Sequence, residues 1–142
     1  MAGVEHSHKN GYCHRDLKLA NLLLGKDFTL KLADFGYSSL IEGERGQDKL
    51  LTIVGTRGFM APELINEQPY NGEVVDLFAS AVILFMMKNA LPPFMEADRR
   101  QDPYYKKFCK KPKKWWQFHG SSKPGKMSYF DNHFIDLITK MF

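Results

Sequence analysis

Cysteine is scarce in this 142-residue chain: Cys13 and Cys109 lie far apart and form no Cys-x-x-Cys pair. That spacing argues against metal or redox chemistry, so both are read as buried or partly buried thiols without an assigned function. Long apolar runs are missing as well. The longest, from Val74 to Met87, is interrupted by Asp76 and Ser80 and is too short to cross a bilayer. The opening MAGVEHSHKNG has no apolar core of export-signal length. The expectation is an intracellular chain, cytoplasmic or nuclear, with no membrane partner. Repeats and low-complexity tracts are also absent, which excludes solenoids and biased linkers. What is present is 44% hydrophobic and 13% aromatic residues, enough for one domain with a real core.

The formal charge of +4 is unevenly distributed. Residues 99–126 hold ten Lys or Arg against the single acid Asp102, a local charge of +9, and the remainder carries −5. Such asymmetry fits either a surface for an anionic partner or a solvated helix face.

The predicted elements are mostly helical. Residues 1–9 read as the end of a helix stopped by Asn10-Gly11, both of which tolerate positive φ. Leu22-Leu23-Leu24 and 29–33, joined by Gly25-Lys26-Asp27-Phe28, predict a small hairpin. Residues 37–58 lack periodicity and predict a long surface loop, a length that is uncommon unless functional or disordered. Pro62 opens a short helix to Asn66. Gly72 to Asn89 is apolar on nearly every side and predicts a central helix that ends before Leu91-Pro92-Pro93. Asp102-Pro103 starts a basic, aromatic helix to about Lys111, Lys123-Pro124-Gly125 reads as a loop, and Asp131 caps a last helix.

Three motifs carry chemistry. His14-Arg15-Asp16-Leu17-Lys18-Leu19-Ala20-Asn21 matches the pattern HRDLxxxN; Asp34-Phe35-Gly36 follows Asn21 by thirteen residues; Ala61-Pro62-Glu63 comes later. Taken alone, Asp16 is a turn or capping residue, Asn21 a turn residue and Lys18 solvated surface. The ordered set is far more specific than any member. On these residues the chain resembles a eukaryotic protein kinase of serine/threonine type, from the end of helix E to helix H. The implied fold is mainly α with a small β-hairpin, a kinase-like C-terminal lobe with the N-terminal lobe absent. On that map the catalytic loop is 14–21, the DFG triplet 34–36, the activation segment 34–63, helix F about 72–89, helix G about 103–111 and helix H about 131–141.

The resemblance implies phosphoryl transfer from MgATP to a Ser/Thr hydroxyl of a protein substrate. Such chemistry needs in-line geometry and neutralised phosphate charge more than covalent help. Asp16 would orient the hydroxyl and accept its proton, and Lys18 would meet the γ-phosphate. Hard Mg²⁺ ions take oxygen ligands, which fits Asn21 and Asp34. Lys18, Asn21, Leu23 and Asp34 would thus form the nucleotide site, with Leu23 beneath the adenine ring or simply a core leucine. Lys18 and the segment Gly55-Thr56-Arg57-Gly58-Phe59 resemble the serine/threonine form, in which Thr56 bridges Asp16 and Lys18. His14 and Phe35 would stack in a hydrophobic spine. Thr52 stands where many members carry an activating phosphate added by an upstream kinase, and Arg15 would pair with it; an unmodified loop threonine is the alternative.

The sequence departs from the family in places. No glycine-rich loop, strand lysine or partner glutamate precedes His14, and the arginine that usually pairs with the glutamate of the APE triplet is absent, which leaves Glu63 without a buried partner. Ala81 stands where glycine is usual in helix F. The isolated chain is therefore expected to bind ATP poorly and to leave its helix-F core partly uncovered. Two other readings compete. One is a catalytically inactive, kinase-like interaction fragment. The other is nucleic-acid binding through the basic segment 106–118 with Trp115, Trp116 and Phe118, against which stands the ordinariness of exposed lysine in helix G. An acidic protein docking on that segment is the better use of its charge.

Overall fold

The computed structural model describes residues 1–42, 49–121, 123 and 129–142. Its elements are α1 (Ala2–Lys9), β1 (Tyr12–Cys13), β2 (Leu22–Leu24), β3 (Leu30–Leu32), β4 (Ser39–Leu40), α2 (Pro62–Ile65), α3 (Gly72–Asn89), α4 (Pro103–Lys110), α5 (Pro112–Ser121) and α6 (Asn132–Met141). Short 3₁₀ turns at Leu19–Asn21 and Arg57–Phe59 flank the site described below.

The core is organised by α3. Asn71 caps it, its Oδ1 accepting from the Glu73 and Val74 amides at 2.8 and 3.1 Å. Val75, Phe78, Ala81, Val82 and Phe85 are buried on several sides of the helix, as its uninterrupted apolar composition requires. Phe85 lies 5.1 Å from the Trp115 ring, 5.0 Å from His119 and 5.7 Å from Phe130, so α5 and the approach to α6 close over it. The chain leaves α3 through Ala90 at φ 60°, a left-handed turn usually given to glycine. Ala81 is fully buried, so its methyl is accommodated in the packing. On the other side Val74, Leu77 and Met87 stay exposed.

The small sheets join distant segments. α1 ends where the Asn10 side chain donates back to the His6 carbonyl at 2.7 Å and Gly11 turns the chain at φ +81°. β2 and β3 pair antiparallel, Leu22 opposite Leu32, as the hairpin reading expected. β1 pairs antiparallel with β4, Tyr12 opposite Leu40, a ladder that the sequence did not announce. Gly72 permits this base to form, because a Cβ there would fall inside the Cys13 side chain.

Several expectations need correction. Residues 37–58 are not uniformly a surface loop: 39–40 is a strand, and Leu50 is buried and bridges Tyr70. The part at 43–48 lies outside the described residues, as do Pro124 and Gly125 of the 123–125 loop. The run after Lys111, to which the sequence assigned no element, is a helix, α5. Its Trp115 and Trp116 are buried against α3, which removes two of the three aromatics that a base-stacking surface would use. Cys109 is exposed, whereas Cys13 is buried and its thiol is pushed up to about 11, chiefly by that burial. No described helix is long and apolar enough to cross a membrane.

Candidate active site

The loop between β1 and β2 is fixed from below by one carboxylate. Asp76, in the second turn of α3, accepts from the His14 amide at 2.7 Å and the Arg15 amide at 2.8 Å, and its Oδ2 lies 2.8 Å from His8 Nε2. It is 1% exposed, and these bonds hold Arg15 in a left-handed conformation at φ 67°. Strain of this kind in a non-glycine residue persists only where the surroundings over-determine it. The His14 ring then reaches forward, its Nε2 3.0 Å from the Ala33 carbonyl, and packs 4.9 Å from the Phe35 ring. The two rings thus meet, as a pair tilted by 59° rather than stacked, with Phe35 still exposed.

Above that base sits Asp16, only 4% exposed. Its Oδ1 accepts from the Thr56 hydroxyl at 2.7 Å and its Oδ2 from Lys18 Nζ at 2.7 Å. Lys18 also donates to Thr56 Oγ1 at 3.2 Å, closing a triangle of acid, amine and hydroxyl across forty residues of chain. Thr56 gets there because Gly55 has φ +114° and no side chain: a Cβ would lie 2.6 Å from the Arg15 carbonyl oxygen. Burial raises the Asp16 pKa, but hydrogen bonds from Lys18 and Thr56 outweigh it and hold the carboxyl below its usual range. The hydrogen bond to Asp16 conversely raises the Lys18 pKa, with Asp34 adding to the effect. Both groups are charged at neutral pH.

Asn21 is buried, and its amide nitrogen donates to the Asp16 carbonyl at 2.9 Å. No described side chain or amide donates to its Oδ1. The Asn21 carbonyl in turn receives the Ala33 amide at 2.9 Å, which sets Asp34 beside the end of the hairpin that Asn21 begins. Asp34 is exposed at φ 62°, one carboxylate oxygen accepting weakly from the Gly36 amide at 3.3 Å. An amide oxygen and a carboxylate are hard donors that suit Mg²⁺, an ion that keeps water and phosphate oxygens in its shell. The described residues contain no group of three His, Cys, Asp or Glu able to hold a metal unaided.

The remaining expected residues are placed less tightly. Leu23 lies on β2, 54% exposed, at the open edge of this arrangement. Arg15 donates through Nε to the Tyr37 carbonyl at 2.6 Å and through its guanidinium to the Tyr70 hydroxyl at 3.2 Å. That hydroxyl donates to the exposed Thr52 carbonyl at 2.7 Å, so Arg15 meets the Thr52 backbone through Tyr70 and not directly. Glu63 is half-buried, and no ion pair among the described residues includes it. Sequence reasoning missed Asp76 and Tyr70 as parts of the site. The available signal for Asp76 was an acid in the most apolar helix of the chain, a position that demands a partner.

Residues 1–142 match the protein kinase domain family. CBL-interacting protein kinase 10 of Oryza sativa subsp. japonica is 40% identical over 115 residues, 81% of this chain and 25% of that protein. CBL-interacting serine/threonine-protein kinase 8 of Arabidopsis thaliana is 43% identical over 96 residues, 68% of this chain and 21% of that protein. CBL-interacting serine/threonine-protein kinase 26 of the same plant is 42% identical over 95 residues, covering 67% and 22% respectively. The chain thus spans a quarter or less of the length of these relatives. Match and motifs agree: the chain belongs to the protein kinase domain family, in its serine/threonine form.

Proposed function

We propose that residues 1–142 are the C-terminal lobe of a protein kinase, bearing the groups that act on the transferred phosphoryl of MgATP and on a Ser/Thr hydroxyl of a protein substrate. The observation that carries this reading is the Asp16 carboxylate, buried, ionised, and fixed by Lys18 and Thr56 on separate oxygens. An acceptor held so rigidly orients a hydroxyl donor and takes its proton as the oxygen attacks. Lys18 keeps its charge and stands beside Asp16, where it offsets negative charge on the moving phosphoryl oxygens. Thr56 fixes the angle between the two. Asn21 and Asp34 would hold magnesium, which when bound draws negative charge off the phosphates. Leu23 offers apolar surface to the adenine.

The nucleotide contacts of a glycine-rich loop and a strand lysine have no counterpart in these 142 residues, so this chain alone is expected to bind MgATP weakly. An upstream kinase acting on Thr52 belongs to the same proposal. A phosphate there would compete with the Tyr70 hydroxyl for Arg15, since a dianion is the stronger acceptor.

Radiolabelled phosphate transfer from MgATP to a serine-containing protein tests the reading. Asp16→Asn and Asp34→Ala are each expected to cut the rate at least about a hundredfold without unfolding the chain. Transfer that persists in both variants sinks the assignment. A folded wild-type chain that transfers nothing even at millimolar MgATP favours the second reading, a kinase-like interaction fragment.

A further inference from the structure

A second cavity, of about 360 Å³, opens at the far end of α3, beyond the reach of the catalytic loop. Asp76 and Asn89 are thirteen residues apart on one helix, so the two sites are separated by roughly 20 Å. The walls are the turn after α3, with Leu91, Pro92, Phe94 and Met95, and the facing aromatics Tyr104 of α4 and Phe118 of α5. Such a size and lining match a ligand site better than a packing defect, which would be closed and far smaller.

Two polar groups at this cavity have no partner among the described residues. Asn89 is 1% exposed, and its Oδ1 accepts no hydrogen bond; its amide nitrogen reaches only the Leu91 carbonyl, at 3.4 Å. His119 is 8% exposed, and its Nε2 is unpartnered. Burial pushes the His119 pKa down to about 4, so the ring is neutral at physiological pH and holds one donor and one acceptor nitrogen. A buried acceptor left unmade is costly, and most such groups in folded proteins have an occupant. The rim is positive. Lys107 lies 4.6 Å above the Phe118 ring, and Lys123 donates to the Asn89 carbonyl at 2.7 Å.

We infer that this cavity docks a tryptophan side chain of an acidic peptide segment in a partner protein. Indole combines a large apolar body with a single N–H donor, which suits an apolar cavity holding the Asn89 oxygen. Acidic residues flanking the anchor would meet the lysines around the rim, which adds encounter rate and orientation. The inference stands on this cavity alone and is independent of phosphoryl transfer at Asp16.

Fluorescence polarisation on the 142-residue chain tests it, using a short fluorescein-labelled peptide of Asp and Glu around one Trp. Replacing that Trp by Ala is expected to weaken binding about tenfold or more, as is typical of a buried aromatic anchor. Free indole should compete, and a Lys-rich peptide with the same Trp should bind more weakly. Phe118→Lys removes a cavity wall while adding a positive charge, at an exposed position that the fold tolerates. Docking in the cavity requires affinity to fall in that variant by about tenfold, whereas attraction by charge alone makes it rise. Asn89→Leu, if it folds, should lower affinity too. Equal binding of the Trp and Ala peptides overturns the inference, as does a single-stranded oligonucleotide that binds more tightly than the acidic peptide and does not compete with indole.

Discussion

Two regions of this chain handle their surface in opposite ways. At the N-terminal half of α3 the groups that fix the 14–21 loop have partners within the chain: Asp76 with the His14 and Arg15 amides, Asp16 with Lys18 and Thr56. Along 22–40 the reverse holds. Leu23, Leu24, Leu30, Phe35 and Tyr37 are exposed, and Phe28 at the hairpin tip is 83% exposed. An apolar strip of that extent marks a surface meant to be covered. The first region explains why Asp16, Lys18 and Thr56 are held in one fixed triangle. The second is the open face on which the proposed nucleotide would rest.

The largest effect is expected from Asp76→Ala. It strips the acceptor from two amides in the buried base of the 14–21 loop, each of which costs on the order of 1–3 kcal/mol when left unmade. The expected loss is about 3–5 kcal/mol in urea unfolding, with Asp76→Asn intermediate because one acceptor oxygen survives. A loss under about 1 kcal/mol would show that α3 does not hold the loop.

Next in size is a pH effect at His119. Its folded pKa, about 4, lies below the ordinary value of 6.5, so the unfolded chain binds the extra proton first. Stability is then fully present above pH 6.5 and falls as pH drops toward 4, by up to about 3 kcal/mol for this one group. Thermal melts across that window should show the slope, and His119→Phe should flatten it. An unchanged slope in the variant would place the titration elsewhere.

A smaller effect of opposite sign is expected at the end of α3. Ala90 is exposed and sits at φ 60°, where its Cβ is strained and glycine is not. Ala90→Gly should stabilise by about 0.5–1 kcal/mol, after allowing for the extra freedom that glycine gives the unfolded chain. A lower melting temperature in the variant would show that the turn is not under strain.

How much of this was legible in the sequence divides along the same line. Asp16, Lys18 and Asn21 lie within one turn-rich stretch, and Asp34-Phe35-Gly36 closes the hairpin that follows, so local spacing carried most of the site. Asp76 was hidden because its partners are 61 and 62 residues away, a distance that no periodicity reports. Tyr70 was hidden for the same reason, its hydroxyl meeting Arg15 across 55 residues. β1 and β4 escaped because two residues are too few to alternate. α5 escaped because its first residue is Pro112, a helix-opening position that proline favours, and because the lysines concealed the inward face of Trp115, Trp116 and His119.

The smallest expected change falls on the open strip, and it separates a covered-surface reading from an ordinary core. Phe28 occupies the hairpin turn at φ 61°, with its ring almost entirely in solvent. Burial is what makes a phenylalanine stabilising, at about 25 cal/mol per Å² of apolar area removed from water, and here almost none is removed. Phe28→Asn should therefore leave unfolding free energy within about 0.5 kcal/mol of wild type, since asparagine also accepts the positive φ. Self-association should fall in the same variant, because the exposed ring contributes to stickiness rather than to the fold. Equilibrium urea unfolding and sedimentation velocity together check both halves. A loss of several kcal/mol would mean that Phe28 is buried in solution and that the strip is covered by the chain itself.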